Sequence, residues 1–428
     1  MHEALLIADI LGLVFNDNAL HPADLYRCAL VCRHWRDTAV SKLWEDVDFE
    51  NLLRLFPLDR DDPDTISGDG HGALFRDLNL FSSHAMSVRR LTVSLKTVPE
   101  IEQRSIACLT YGAIMYPSLQ HLFLEDHPQD GRTDLVLDFI YHLLNDRANN
   151  TSESHCPTAL LRSFQSKNIP IPDVLRILRM RRARHLHSVR ITAAIVHSND
   201  LSYISRSLRE TMDTHTFREV TVARTLQSFP PPRDMPLSLE HLRSLSSFRH
   251  LTRVEFINFG VAALGDIEYA ACAAWWPQLR VFSVEPPVST EPREPCTLEA
   301  VEAFARKCPD LERLSLPLQS IIPPEYTPAL PLRSRPAPAV TIYAGGGRMA
   351  MIGDLYWQWS DDPAAKARHL KNLAVYLLAL FPELECVYKG TSTDLDPDWD
   401  MYGPGKERGI WMEFAVSLAA LKGNTKLG

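Results

Sequence analysis

Leu251-Thr252-Arg253-Val254-Glu255-Phe256, then Leu279-Arg280-Val281-Phe282-Ser283-Val284, then Leu311-Glu312-Arg313-Leu314-Ser315-Leu316, are three copies of one phrase. Each has apolar residues at its first, fourth and sixth positions. The fourth and sixth flank a single polar residue, the alternation of a strand with one buried face. Working outward, the phrase recurs as Val88-x-x-Leu91-x-Val93, Leu119-x-x-Leu122-x-Leu124, Leu186-x-x-Val189-x-Ile191 and Phe217-x-x-Val220-x-Val222. Shortened forms stand at Leu161-x-x-Phe164 and Leu384-x-x-Val387. Successive copies are mostly about 25–35 residues apart. Pro117, Pro277, Pro309 and Pro382 each precede a copy by two residues.

Between copies lie segments with helical spacing: 134–145, 173–180, 201–212, 239–248, 298–307 and 364–381. A strand-plus-helix unit repeated at this period predicts an α/β chain built as an irregular leucine-rich-repeat solenoid with a parallel sheet, over residues 75–428. One unit cannot bury its own apolar face, whereas stacked units share a core. The Asn or Cys that usually follows such a strand is not apparent in the repeats, so an uneven curve is expected. Pro-rich breaks at 229–236, 286–295 and 323–338 read as long loops, and the tryptophans at 357, 359, 399 and 411 as part of a C-terminal cap. In a solenoid strand the alternating residues face the open side of the sheet. That places Arg90, His121, Phe123, Arg190, Arg253, Glu255 and Arg313 as candidate target-binding residues, with Glu219, Thr221, Ser283 and Ser315 on the same face.

Ahead of the repeats, residues 4–15 carry Ile7, Ile10, Leu11 and Val14 at helical spacing, and Asn16-Asp17-Asn18 ends that helix. Pro22 and Asp24 suit the start of a second helix, which reads as continuous through Leu25–Trp35. A third is expected over about 36–44, followed by an extended segment at Val47-Asp48-Phe49. The second helix is apolar on more than one side, so it needs cover from its neighbours and from a further surface. Residues 59–72, acidic and Gly-rich with few apolar side chains, read as a flexible loop.

Ile7-Ala8-Asp9-Ile10-Leu11, the run Asp24-Leu25-Tyr26-Arg27-Cys28-Ala29-Leu30-Val31-Cys32-Arg33-His34-Trp35, and Leu43-Trp44 together resemble an F-box. Ile7-Ala8 stands where that pattern has Leu-Pro. Residues 4–49 carry the resemblance, which implies an F-box domain over 1–50 with 51–74 as linker, and the overall style resembles F-box proteins of mushroom-forming fungi. It implies a non-catalytic receptor subunit of a Skp–cullin–F-box ubiquitin ligase, cytoplasmic or nuclear, that positions an unidentified target protein. By matched positions, Ile7, Ile10, Leu11, Leu25, Leu30 and Val31 are the candidate adaptor face. Cys28, Cys32, Trp35 and Trp44 are the candidate F-box core.

The net charge of −8 gives no general attraction to nucleic acid or to an anionic membrane. The longest apolar run, Leu373–Phe381, is well short of the ~20 residues that span a bilayer. None of the eight cysteines forms a Cys-x-x-Cys pair, which favours buried free thiols over disulfides or zinc. Gly345-Gly346-Gly347-Arg348 lacks the Lys-Ser/Thr of a phosphate loop, and His185-x-His187 has no further ligand at metal spacing. No catalytic constellation, cofactor motif or metal site is expected. Arg176–Arg190 is the strongest local charge feature. Its arginines fall at a helix end, where they offset the dipole; a dock for an acidic or phosphorylated partner is the sharper reading. Two alternatives to the ligase stay open: a repeat scaffold with a degenerate F-box, and an RNA- or phosphate-binding module using that cluster.

Overall fold

The structure is a computed structural model. It describes residues 8–15, 20–49, 51, 86–94, 118–125, 140, 141, 144, 161–195, 198–225, 236–285, 296–318, 339–344, 363–389 and 416–422. The loop at 59–72, most of the helix expected over 134–145, the Gly345–Arg348 turn, Ile7, nearly all of the Pro-rich breaks and the tryptophans at 357, 359, 399 and 411 lie outside those residues. The chain is α/β and divides into two compact units, Met1–Leu186 and His187–Gly428.

The first unit opens with helices α1 (Ala8–Phe15), α2 (Pro22–Ala29) and α3 (Arg33–Leu43). Helix α2 starts on Pro22, whose missing N–H costs nothing at a first helical position. The chain does not stay helical through Leu25–Trp35. It leaves the helix at Leu30, and Cys32 is extended (φ −161°, ψ 167°) as the residue that starts α3. The break lets α3 fold back on α2, so that Leu25, Ala29 and Ala39 share one core with Leu11 and Phe15. Four strands follow: β1 (Asp46–Asp48), β2 (Arg90–Ser94), β3 (His121–Glu125) and β4 (Ser163–Lys167). They pair in parallel in that order. Helix α4 (Ile171–Leu178) and a 3₁₀ turn (Arg181–His185) close the unit.

In the second unit the main ladder is β5 (Ser188–Ala193), β6 (Glu219–Arg224), β8 (Arg253–Ile257), β10 (Val281–Glu285), β11 (Arg313–Leu316), β12 (Val340–Ala344) and β13 (Leu384–Lys389). Each pairs in parallel with the next. The fourth position of the phrase forms one row across them, Val189–Val220–Val254–Phe282–Leu314–Ile342–Val387. Strands β7 (Pro236–Ser238) and β9 (Gly260–Ala263) make a separate two-stranded pair that the sequence did not suggest. The connecting helices are α5 (Ser198–Thr211), α6 (Leu239–Arg243), α7 (Asp266–Trp275), α8 (Leu298–Lys307) and α9 (Pro363–Leu380); residues 416–422 form one more.

Aromatic packing fills the space between helices and strands. Phe282 on β10 lies 4.6 Å from Phe304 and 6.2 Å from both Tyr269 and Trp276, ring centre to ring centre. The indole N–H of buried Trp276 donates to the Leu245 carbonyl at 3.2 Å. Thr297 starts α8 by accepting from the Glu299 N–H, while its own hydroxyl and N–H both donate to Asp266 at the start of α7. Those bonds tie one helix start to the next. Two asparagines do follow strands: Asn168 and Asn258 have φ of 58° and 62°, a left-handed conformation that asparagine tolerates well. Asn258 also donates its side-chain amide to the Arg224 carbonyl of the neighbouring strand.

Candidate functional site

The residues singled out from the sequence fall in two places, on the N-terminal helices and on the sheet. The helical core is complete from within. Phe15 and Trp35 meet edge to face at 5.8 Å, and Cys28, Val40 and Leu43 pack on the buried cluster. Leu11 and Leu25, expected on the adaptor face, are part of this core: both are buried. Ile10 is half-buried. Leu30 and Val31 are different, 67% and 54% exposed at the α2–α3 break. Leu13, Val14 and Tyr26 are also exposed and were not among the expected residues. Cys32 and Trp44 are half-buried.

The first unit's sheet face carries three of the expected target-binding residues. Asp46, Arg90, His121 and Ser163 form one row across β1 to β4. Arg90 pairs with Asp46 at 2.5 Å, and His121 Nδ1 lies 2.7 Å from the Ser163 hydroxyl. Burial, and then Arg90 and Arg162, lower the His121 pKa; Asp46 opposes them. Phe123, in the next row between Thr92 and Gln165, is half-buried.

The second unit's face departs from the expectation of an open row. Arg190 is exposed, but Glu255 is buried beneath its own partners. It accepts from Thr221 Oγ1 at 2.9 Å and from Arg253 at 3.3 Å, and it pairs with Arg313 from two strands away. Thr221, Ser283 and Ser315 are buried as well. Thr221, Arg253 and Arg313 thus hold Glu255 within the sheet itself.

Elsewhere the arginine cluster divides. Arg176 lies over the Tyr141 ring at 5.2 Å, Arg179 and Arg184 are exposed, and the side chains of Arg181 and Arg182 lie outside the described residues. Cys28, Cys32, Cys272, Cys296 and Cys308 are free thiols. Burial pushes the Cys272 and Cys296 thiols up, which makes them poor nucleophiles at neutral pH. Among the described residues, no group of three His, Cys, Asp or Glu side chains is placed to hold a metal ion, and no helix is long and apolar enough to cross a membrane.

No curated protein matches the chain. Residues 8–50 match the F-box-like family model, and the chain therefore carries an F-box-like domain at its N-terminal end.

Proposed function

We propose that this chain is the substrate-recognition subunit of a Skp–cullin–F-box ubiquitin ligase. Its F-box-like helices dock on the Skp adaptor and through it on the cullin, and a leucine-rich-repeat solenoid holds a target protein on its sheet face. The chain supplies position and no bond chemistry.

The observation that carries this reading is the exposed apolar group on helices whose own core is already filled: Leu13, Val14, Tyr26, Leu30 and Val31. Covering one such side chain contributes roughly 1.5–3 kcal/mol. A domain this small keeps such residues outside at a cost in solubility, which a standing partner removes. The solenoid is supported by the single row that successive phrases make across the parallel ladder. The test is co-purification with the adaptor. Leu30→Asp is expected to abolish association while leaving thermal unfolding unchanged. Leu25→Asp puts a charge into the helical core and is expected to unfold the domain, at a cost of about 3 kcal/mol or more. A wild-type chain that does not associate at micromolar concentration would favour the scaffold instead.

A further inference from the structure

We propose that Arg176, Arg179 and Arg184 form a docking surface for a partner protein, which they take by an extended segment rich in Asp and Glu. The proposal is independent of the ligase reading. The first observation is charge. Residues 154–186 hold seven Lys and Arg against one acidic residue, Asp173, in a chain whose net charge is −8. Counted back through 126–153, with six acidic residues and two arginines, the balance is still positive. Going forward, no Asp or Glu follows Asp173 until Asp200.

The second observation is access. Arg176, Arg179 and Arg184 are all exposed. Neither Arg179 nor Arg184 has an ion pair or side-chain hydrogen bond among the described residues. The nearby carboxylates are accounted for: Glu125 pairs with Lys167, and Asp173 stands in the first turn of α4, at the end away from Arg179 and Arg184. The helix dipole does not absorb the surplus either. It amounts to about half a charge, and backbone already closes the last turn of α4. The Arg179 N–H donates to the Leu175 carbonyl at 3.3 Å, and the Met180 N–H to that of Ile177 at 3.0 Å.

The backbone that carries these charges is pinned. Ile177, Leu178, Met180, Ala183 and Leu186 alternate with the arginines and are buried. The 3₁₀ turn is closed by Ala183 N–H to the Met180 carbonyl at 3.0 Å and Leu186 N–H to that of Ala183 at 3.2 Å. The main chain therefore has little freedom left to lose when a partner binds. Arg176 and Arg179 are three residues apart at the helix end, where like charges repel each other. A bound anion turns that repulsion into attraction.

The spread of the arginines selects the partner. By helical rise, residues 176 to 184 cover a length on the order of 15 Å. A single phosphate engages one or two guanidiniums. Carboxylates repeated along an extended segment, at about 3.3 Å per residue, can meet all three. A single-stranded nucleic acid needs open aromatic faces for its bases. Tyr141, the ring at this cluster, already carries Arg176 over its face at 5.2 Å. An acidic protein segment fits best.

The test is a fluorescence-anisotropy titration of the full chain against a short labelled peptide of alternating Glu and Ser. Binding is expected at low salt, weakening as salt rises, with the matching Gln–Ser peptide bound far less well. Arg179→Gln together with Arg184→Gln should weaken the Glu peptide roughly tenfold. The melting temperature should not move, because both side chains are exposed. Arg243→Gln together with Arg249→Gln makes the same change of charge on exposed arginines of the second unit. That control should leave the affinity within about twofold, since distant exposed charges are screened. The proposal is overturned if the Glu peptide binds no better than its Gln counterpart, or if the two pairs of substitutions weaken it equally. It is equally overturned if a Gln–Ser peptide with one phosphoserine, or an oligouridine, binds more tightly than the Glu peptide.

Discussion

His121 shows how one side chain couples this sheet to pH. Its ring is half-buried beside Ser163, with Arg90 and Arg162 near enough to oppose a charge on it. The folded pKa is therefore below the unfolded value of 6.5. As pH falls through that value the unfolded chain takes up the proton first, so stability is present above it and declines below. Urea unfolding at mildly acidic and neutral pH should show this decline, and His121→Gln should lessen it. An equal decline in the variant would assign it to other groups. The contrast between Leu25 and Leu30 also belongs to single residues. Both are leucines in one short segment and both fit the family pattern, yet one is core and the other is surface. Their identities could not tell them apart, because the difference lies in a turn of backbone at Leu30–Cys32.

Among elements, the strands were the most legible. Their phrase sets two apolar positions on one face of the sheet, and parallel pairing repeats that pattern from strand to strand. Helix α8 falls on the segment read for it, 298–307, because Thr297 caps it and Arg306-Lys307 close it. Helix α7 was passed over, though Gly265 donates to Glu268 to start it and Asp266 lies in its first turn. Its Ala-rich body shows little contrast between faces, and the contrast is what periodicity detects. The interlock of these elements with β10 is open to a stability measurement. Phe282 is wholly buried among Phe304, Tyr269 and Trp276, so Phe282→Ala should cost about 3–5 kcal/mol in denaturant unfolding. A loss below about 1 kcal/mol would mean that the ring cluster relaxes into the space.

Across the whole molecule, the informative join lies within the first unit. Strand β1 falls inside the F-box-like match and is also a strand of the ladder. The Glu45 carbonyl accepts from both Arg89 and Arg90, and its carboxylate pairs with Lys42 and Arg89. The helices are thus joined to β2 by backbone and charge, across a long stretch of sequence that reads as a linker. Val47→Asp would place an unpaired carboxylate beside Leu91. Faster amide exchange at Arg90–Ser94 is expected, with α5 in the other unit unchanged; unaltered exchange at β2 would show that the join is not needed.

The sequence alone determined the α/β class, the parallel repeat and the three-helix start, since each rests on spacing along the chain, and spacing follows from backbone geometry. Three things were settled only by the tertiary structure. The break at Leu30–Cys32 depends on α3 finding α2, the join at Glu45 depends on a strand some forty residues on, and the burial of Glu255 depends on Arg313 reaching across β10. Each is a contact between residues distant in sequence. Local pattern sets which face a side chain takes, and the neighbour that meets it there is supplied by the fold.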